Sequence, residues 1–446
     1  MQMLALGFLG VIFLGAVLLW LPVSNQQPIS FVDALFTSVT SVCVTGLVTI
    51  VPATQFTIFG KFVLLVLIQI GGLGVIACTM AFFLLLRRQI TIRQRARIQE
   101  AYGLESFAGL VIFMKRIIKG TLLVEGIGAA FYMICFIPEF GFTKGYWYGV
   151  FHSVSAFCNA GIDIIGETSL MNFVGHPMVN FTTIFLIISG GLGFTVWYDV
   201  LENVENIRKK QLPKKRLFTR LELHSKLVLV TTAALLFGGT ILFYLFEFRN
   251  PETLGNLGAA EKWMAAFFQS VTTRTAGFAT VSQDALTNAS KLIAVVLMFI
   301  GGSPAGTAGG VKTTTIAMLL LTGVSVIRGR KETECFGRKI PEDNIRTGIT
   351  VILAAILFLF TGTILLCAFE PHVDFMNLFY EAVSAIATVG LSANLTSSLC
   401  VGSKIVLMCM MYIGRLGPIT IALVFGRKVR FETQLRDLPE KRILVG

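Results

Sequence analysis

The residues of this chain best suited to chemistry are four short runs that could ligate an ion with backbone oxygen. Val44-Thr45-Gly46, Asn159-Ala160-Gly161, Thr275-Ala276-Gly277 and Thr388-Val389-Gly390 end on glycines 115, 116 and 113 residues apart, and none contains a carboxylate. Their ligands would be mostly carbonyls, which glycine can aim inward because it reaches φ > 0 at no steric cost. Rings of carbonyls can replace the hydration shell of potassium, so these residues form the candidate selectivity filter. A lone glycine in a membrane protein is commonly a tight turn or a close helix contact. Four in register argue instead for one shared site.

Each run closes a longer pattern: FTSVTSVCVTGL (Phe36 to Leu47), FHSVSAFCNAGI (Phe151 to Ile162), FQSVTTRTAGF (Phe268 to Phe278) and YEAVSAIATVGL (Tyr380 to Leu391). In repeats one, two and four an aromatic stands ten residues before the glycine and a valine seven before it; in repeat three both spacings are one shorter. Asp163 and Glu167, just beyond the second run, could recruit cations at a mouth or simply stand on a solvated outer loop.

The elements that must position these runs follow from hydropathy. Hydrophobic residues make up 54% of the chain and charged residues 14%, against about 25% charged in a soluble domain. Mean hydropathy is +0.77. A span takes about 20 apolar residues, and eight segments qualify: 4–22, 58–86, 110–137, 178–201, 226–248, 291–327, 346–369 and 403–426. The first stretch lacks the basic n-region and small-residue cleavage pattern of a signal peptide, so it is read as a helix that stays. Seven of the 37 Lys and Arg residues (Lys61, Lys144, Arg249, Lys262, Arg274, Lys291, Lys404) fall near the glycine runs and Arg415 lies inside the last segment. The rest follow even-numbered segments or sit in the C-terminal tail, which places both termini and the basic loops in the cytoplasm and the filter runs on the outer side. The net charge of +12 then reflects topology and contact with anionic lipid, and gives no ground for a nucleic-acid partner.

The expected fold is an all-α polytopic membrane protein of four pseudo-repeated units, each a helix, a short pore helix, a filter loop and a second helix, around one central pore as in potassium channels. The units are 1–100, 101–217, 218–338 with a broken second helix, and 339–446 with a cytoplasmic tail. Irregular backbone at membrane depth is tolerated only where it is buried in protein or lines a watery cavity, and the C-terminal end of a short helix, carrying about half a negative charge, favours a cation.

A second signature recurs in the second helices: Ile70-Gly71-Gly72-Leu73-Gly74, Ser189-Gly190-Gly191-Leu192-Gly193, Ile300-Gly301-Gly302-Ser303-Pro304 and Ile413-Gly414-Arg415-Leu416-Gly417. In the first two repeats it reads as close packing by small residues. Repeat three departs from it with Gly301, Gly302, Ser303, Pro304, Ala305, Gly306, Thr307, Ala308, Gly309, Gly310, Val311 and Lys312 before Thr313 to Thr315. A helix runs poorly through such a stretch, because each Gly costs about 1 kcal/mol and Pro about 3 relative to Ala. A mobile intramembrane loop beneath the filter is expected there, acting as the gate; the alternative is a static kink. The stretch is no phosphate-binding loop, since Val311 separates glycine from Lys312 where GxxxxGK(S/T) requires adjacency. Repeat four departs with Arg415, a mid-membrane charge costing about 3 to more than 10 kcal/mol. It would face the pore as a barrier to cations, or form a salt bridge to Glu125.

Taken together these motifs resemble the Ktr/Trk/HKT superfamily of potassium transporters, specifically the membrane subunit of bacterial Ktr systems, over essentially the whole chain. The resemblance implies potassium uptake, often stimulated by sodium, by a homodimer in the bacterial plasma membrane. The homodimer would dock on a cytosolic RCK-type regulatory ring, with ATP or ADP bound by that ring rather than by this chain. It also implies that Gly46, Gly161, Gly277 and Gly390 mark the filter, that Gly301 to Thr315 form the gate and that Arg415 lies below the filter. Some plant relatives with sodium selectivity replace the first filter glycine by serine; all four glycines stand here, which favours potassium. Loops such as Arg87 to Gly109 and Arg328 to Ile340 are too short for a regulatory domain, so regulation is expected from a separate chain docking on the basic loops.

Two other classes compete. An intramembrane enzyme would need a constellation that His152, His176, His224 and His372 do not make, having neither HExxH nor a paired-carboxylate spacing; His152 reads as a packing residue. An alternating-access transporter would show inverted repeats, whereas these four all enter with one topology. The eight cysteines show no ligand spacing and read as small apolar packing residues.

Overall fold

The structure, a computed structural model, describes residues 2–74, 110–209, 213 and 217–417. The loop 87–109, the C-terminal tail and the later parts of segments 58–86 and 403–426 lie outside the described residues.

Each repeat supplies an outer helix, a short helix and an inner helix. Repeat one has α1 (Gln2–Trp20), α2 (Phe31–Val42) and α3 (Ile58–Leu73); repeat two has α4 (Leu110–Phe140), α5 (Phe142–Phe157) and α6 (Pro177–Gly191), continued by α7 (Phe194–Lys209). Repeat three has α8 (Leu223–Glu247), α9 (Ala259–Thr272), α10 (Asn288–Phe299) and α11 (Thr313–Ile327); repeat four has α12 (Glu342–Phe369), α13 (Phe375–Ile386) and α14 (Val401–Leu416). A small hairpin, β1 (Glu334–Cys335) with β2 (Arg338–Lys339), stands between α11 and α12.

Local sequence explains where these helices start. Ser30 caps α2 by accepting from the Asp33 amide at 3.1 Å, Thr57 caps α3 at Gly60, Thr287 caps α10 at Ser290, and Asp374 caps α13 at Met376 and Asn377. Such oxygens satisfy amides that the first helical turn leaves unpaired. Gly141, at φ +81, separates α4 from α5 with a backbone conformation that other residues rarely adopt.

The outer helices carry the membrane argument. Among the described residues three helices are long and apolar enough to cross a bilayer: Val111–Phe140, Leu223–Glu247 and Glu342–Phe369. On α12, Leu353, Leu357, Phe360 and Ile364 are all more than half exposed and recur at helical spacing, a stripe fit for lipid rather than water. The short helices are the reverse: α2, α5, α9 and α13 bury their last turns completely.

The repeats close into a ring. The inner helix of each packs on the short helix of the next, α3 on α5, α6 on α9, α10 on α13, and α14 back onto α2. Lys404 of α14 pairs with Asp33 of α2 at 2.9 Å, and Lys291 of α10 donates to Asn377 of α13 at 2.9 Å. These lysines are both the fourth residue of their helix, as is Lys61 in repeat one; Asn180 holds that place in repeat two.

One expectation needs correction. Segment 178–201 is not a continuous span: α6 and α7 meet at 97°, with Gly193 at φ +90. Gly74 at φ +85 and Gly417 at φ +88 end α3 and α14 in the same register. The signature's last glycine thus bends the inner helix in repeat two and ends its described part in repeats one and four, while in repeat three α10 already stops at Phe299. The signature's first glycine does provide close packing, because a methyl on Gly71, Gly190 or Gly414 would strike the carbonyl of Val42, Phe157 or Ile386, at or beside the end of the repeat's own short helix.

Candidate functional site

The four glycine runs, far apart in sequence, meet at one centre. A methyl placed on Gly46 would lie 2.6 Å from the Ala160 carbonyl oxygen; on Gly161, 2.6 Å from that of Ala276; on Gly277, 2.7 Å from that of Val389. On Gly390 it would strike the carbonyl of Thr45. Each repeat's middle carbonyl therefore abuts the glycine of the preceding repeat, and the cycle closes on itself. Any side chain at these positions would fill the centre, which is the steric reason for glycine here.

Backbone conformation repeats with the same fidelity. The first residue of each run is left-handed (Val44 φ 54, Asn159 φ 60, Thr275 φ 65, Thr388 φ 51), and the third is glycine with φ between 63 and 104. Left-handed geometry costs a non-glycine residue about 1–2 kcal/mol, so four such residues in register mark a conformation imposed by the site. Alternating the sign of φ keeps the amides and carbonyls of a strand from alternating sides. The amides turn back into the short helices: Thr45 N donates to Thr40 O, Ala160 N to Ser155 O and Val389 N to Ser384 O, each at 2.8 Å, and Ala276 N to Thr272 O at 3.0 Å. Repeat three spans one residue fewer in that bond, which accounts for its shorter spacing. Among the described residues no hydrogen bond ends on the carbonyls of Thr45, Ala160, Ala276 or Val389.

Hydroxyls hold this geometry in a way the sequence reading missed. The residue after the valine is always Ser or Thr. Thr40 Oγ1 and Ser384 Oγ accept from the amides of Gly46 and Gly390 at 2.9 and 3.0 Å; Ser155 Oγ and Thr272 Oγ1 donate to the carbonyls of Ile162 and Phe278 at 2.6 Å. The signal was present as a Val-(Ser/Thr) pair in all four runs.

The irregular stretch of repeat three lies against these runs. Gly301 and Gly302 donate to the carbonyls of Val311 and Gly309 at 2.9 and 3.2 Å, closing a narrow loop. The Ser303 and Thr307 amides donate to Gly191 and Gly190 at 3.0 and 3.1 Å, and the Phe194 amide to Ala305 O at 3.0 Å. Thr307 Oγ1 donates to Phe157 O at 3.0 Å, behind the second run, while a methyl on Gly309 would strike Thr388 Oγ1 of the fourth. Lys312 Nζ closes the turn on Ala308 O at 2.9 Å. Pro304 sits where its carbonyl meets Gly193, and Gly306 lies against the Gly190 carbonyl. Gly310 reaches φ +67 and Ala305 φ 57.

Arg415 is tied to this loop. Its guanidinium donates to Thr307 O of the loop and to Gly71 O and Gly72 O at the end of α3. Among the described ion pairs none joins it to Glu125, so the salt-bridge alternative is set aside. The buried Glu125 carboxylate instead accepts from Gln69 Nε2 at 3.4 Å beside the Cys158 thiol. Another arginine, Arg274, is buried and reaches Gly301 O at 3.3 Å where the loop begins.

His152 matches the packing reading: its Nδ1 lies 2.8 Å from Tyr148 O and its ring sits among Tyr132, Phe136, Phe151 and Phe278. Glu167 is exposed. Asp163 is half-buried, and burial pushes its carboxyl up to about 6 despite amides of Gly166 and Ile165 and the Ser169 side chain.

Four helical repeats whose glycine runs meet, with middle carbonyls that accept no hydrogen bond among the described residues, have the form of an ion-conducting membrane protein. The chain belongs to the TrkH family of cation transport proteins, whose pattern matches residues 2–431. It is 37% identical over 426 residues to Ktr system potassium uptake protein B of Bacillus subtilis (strain 168), covering 96% of this chain and 93% of that protein. It is 36% identical over 450 residues to potassium/sodium uptake protein NtpJ of Enterococcus hirae, covering 100% and 97%. The crystal structure of the potassium transporter TrkH from Vibrio parahaemolyticus has the same fold, with a TM-score of 0.73 at 18% identity, covering 95% of this chain and 85% of that one.

Proposed function

We propose that this chain takes up potassium across a bacterial plasma membrane through the ring formed by Val44-Thr45-Gly46, Asn159-Ala160-Gly161, Thr275-Ala276-Gly277 and Thr388-Val389-Gly390. The observation that carries this is the closed cycle of middle carbonyls, each against the glycine of the preceding repeat and, among the described residues, accepting no hydrogen bond. Such oxygens can replace the water around a large monovalent cation, and no charged group in the ring would bind it too tightly to leave. Four short-helix C-terminal ends add partial negative charge towards the same centre. The names of the relatives favour potassium as the cargo.

The loop from Gly301 to Thr315 serves as the gate and Arg415 as its latch. The loop touches repeats two and four directly and repeat one through Arg415, so its displacement would be felt around the ring. Its many glycines lower the cost of an alternative path. In the closed position the arginine places a positive charge beside the route of a cation, slowing passage. Sodium stimulation, a homodimeric assembly and control by a cytosolic RCK-type ring carrying ATP or ADP complete the reading. The short basic cytoplasmic loops are the docking surface for that ring.

The test is complementation of a bacterium lacking its own potassium uptake, with and without a regulatory ring protein and with sodium varied. Growth at low potassium is expected, stronger with the partner and with sodium. No potassium uptake in any combination would refute the proposal.

A further inference from the structure

Glu381 stands one residue after the aromatic that opens the fourth run, where the other repeats carry Thr37, His152 and Gln269. It has no exposed surface. Its carboxylate wraps the segment that leaves the filter. Ser392 Oγ, two residues past Gly390, donates to one oxygen, and Thr396 Oγ1 donates to the other at 3.0 Å. Thr396 Oγ1 lies 3.1 Å from Ser392 Oγ as well, so the segment folds around the charge.

Both hydroxyls donate to it. An ionised carboxylate accepts at both oxygens, which matches this arrangement. A glutamine in its place would set an NH2 group where one oxygen accepted, so one hydroxyl would have to turn round. Repeat three makes the neutral counterpart: Gln269 and Gln283 pair through their amides at 2.6 and 3.1 Å, and Tyr380 of repeat four donates to Gln283 at 2.9 Å. The residues beyond the filter glycines in repeats three and four are thus tied to their short helices by buried side chains. Thr37 and His152 instead bond back within their own helices. The asymmetry of the gate side, in the same two repeats, has a counterpart at the outer end of the filter.

We propose that Glu381 is a positioning residue of the filter: through Ser392 it fixes the backbone leaving Gly390, and its buried negative charge sets the affinity for external potassium more than the rate of passage. This rests on the potassium reading above. A buried charge is little screened by salt, and its field reaches the adjacent run, so cation entry is favoured while the carbonyls that release the ion stay as they are.

The test is potassium uptake by the purified full chain in proteoliposomes, over a range of external potassium, for wild type and Glu381→Gln, with melting temperature measured on both. Expected is a KM raised about tenfold with the maximal rate within about twofold, and weaker rejection of competing sodium. A folded Glu381→Gln protein with wild-type KM overturns the proposal, as does a loss confined to maximal rate. If that variant does not fold, Ser392→Ala and Thr396→Val, each removing one donor, carry the test: a KM raised about two- to fivefold supports it, and wild-type KM in both overturns it. Absent uptake by wild type overturns the potassium reading and this inference together; normal wild-type uptake with an unmoved variant overturns this one alone.

Discussion

Replacing Arg415 by alanine separates a latch from a mere structural contact. The side chain bonds the loop of repeat three at Thr307 O and is itself anchored on Gly71 O and Gly72 O. A hydrogen bond with one charged partner contributes about 1.5–3 kcal/mol, and 1.4 kcal/mol is a tenfold change in an equilibrium. Losing the Thr307 bond should therefore shift the loop towards its displaced position by roughly 10- to 100-fold. The loop would not simply fall away. Thr307 still donates its amide to Gly190 and its hydroxyl to Phe157, and Phe194 still holds Ala305.

The assay is rubidium or potassium uptake into proteoliposomes without any regulatory partner, with thermal melting alongside. Arg415→Ala should raise basal flux about tenfold or more, with a ceiling set by passage through the filter. Arg415→Lys discriminates the cause. A lysine keeps the charge but is a single compact ammonium that cannot fork between Thr307 and α3. If charge alone blocked the path, Lys would behave as wild type; if the latch matters, Lys falls between wild type and Ala. A folded Arg415→Ala protein with wild-type or lower flux would refute the reasoning.

Cross-linking the loop should do the opposite. A methyl on Gly191 would lie 3.7 Å from Ala308 Cβ, close to the spacing of about 3.8 Å found in disulfides; oxidised Gly191→Cys/Ala308→Cys protein should lose flux and regain it on reduction, while unaltered flux in the verified cross-link would sink the gate. Gly390→Ala sets a methyl against Thr45 O at φ +93, adding about 1–2 kcal/mol of backbone strain to the clash; it should abolish uptake, whereas Gly126→Ala, with nothing within 4 Å, should leave uptake unchanged, and equal effects of the two would contradict the ring. Glu370 sits past the end of α12, where the Cys400 amide and then the Ser403 hydroxyl hold its carboxyl below the usual range against some burial. Its folded value is depressed, so its contribution is present above the unfolded value of 4.5 and lost as pH falls through the folded one. Glu370→Gln should lower the melting temperature by roughly 2 °C at pH 7 and flatten the acid-side decline; a melting curve that matches wild type at every pH would remove this link between α12 and α14.

What the sequence made legible follows from which physical demands leave a residue-level trace. The filter glycines are visible because a Cβ there meets the neighbouring repeat's carbonyl, so the demand repeats in the one residue lacking a Cβ. The left-handed residues two places earlier leave no such trace: Val44, Asn159, Thr275 and Thr388 share a backbone shape and not a side-chain type. The positive φ at Gly74, Gly193 and Gly417 is hard to read from the letters, because the packing role of Gly71 and Gly190 accounts for the same signature. Arg415 could be flagged as a charge at membrane depth, but its hydrogen bonds to Gly71, Gly72 and Thr307 go to backbone carbonyls, which any sequence supplies. Glu125 stands in the sequence as an alternative partner because only side-chain partners can be seen in letters. The loop of repeat three and Arg415, where the repeated letters fail, are thus held by forces that run through backbone that no letter records.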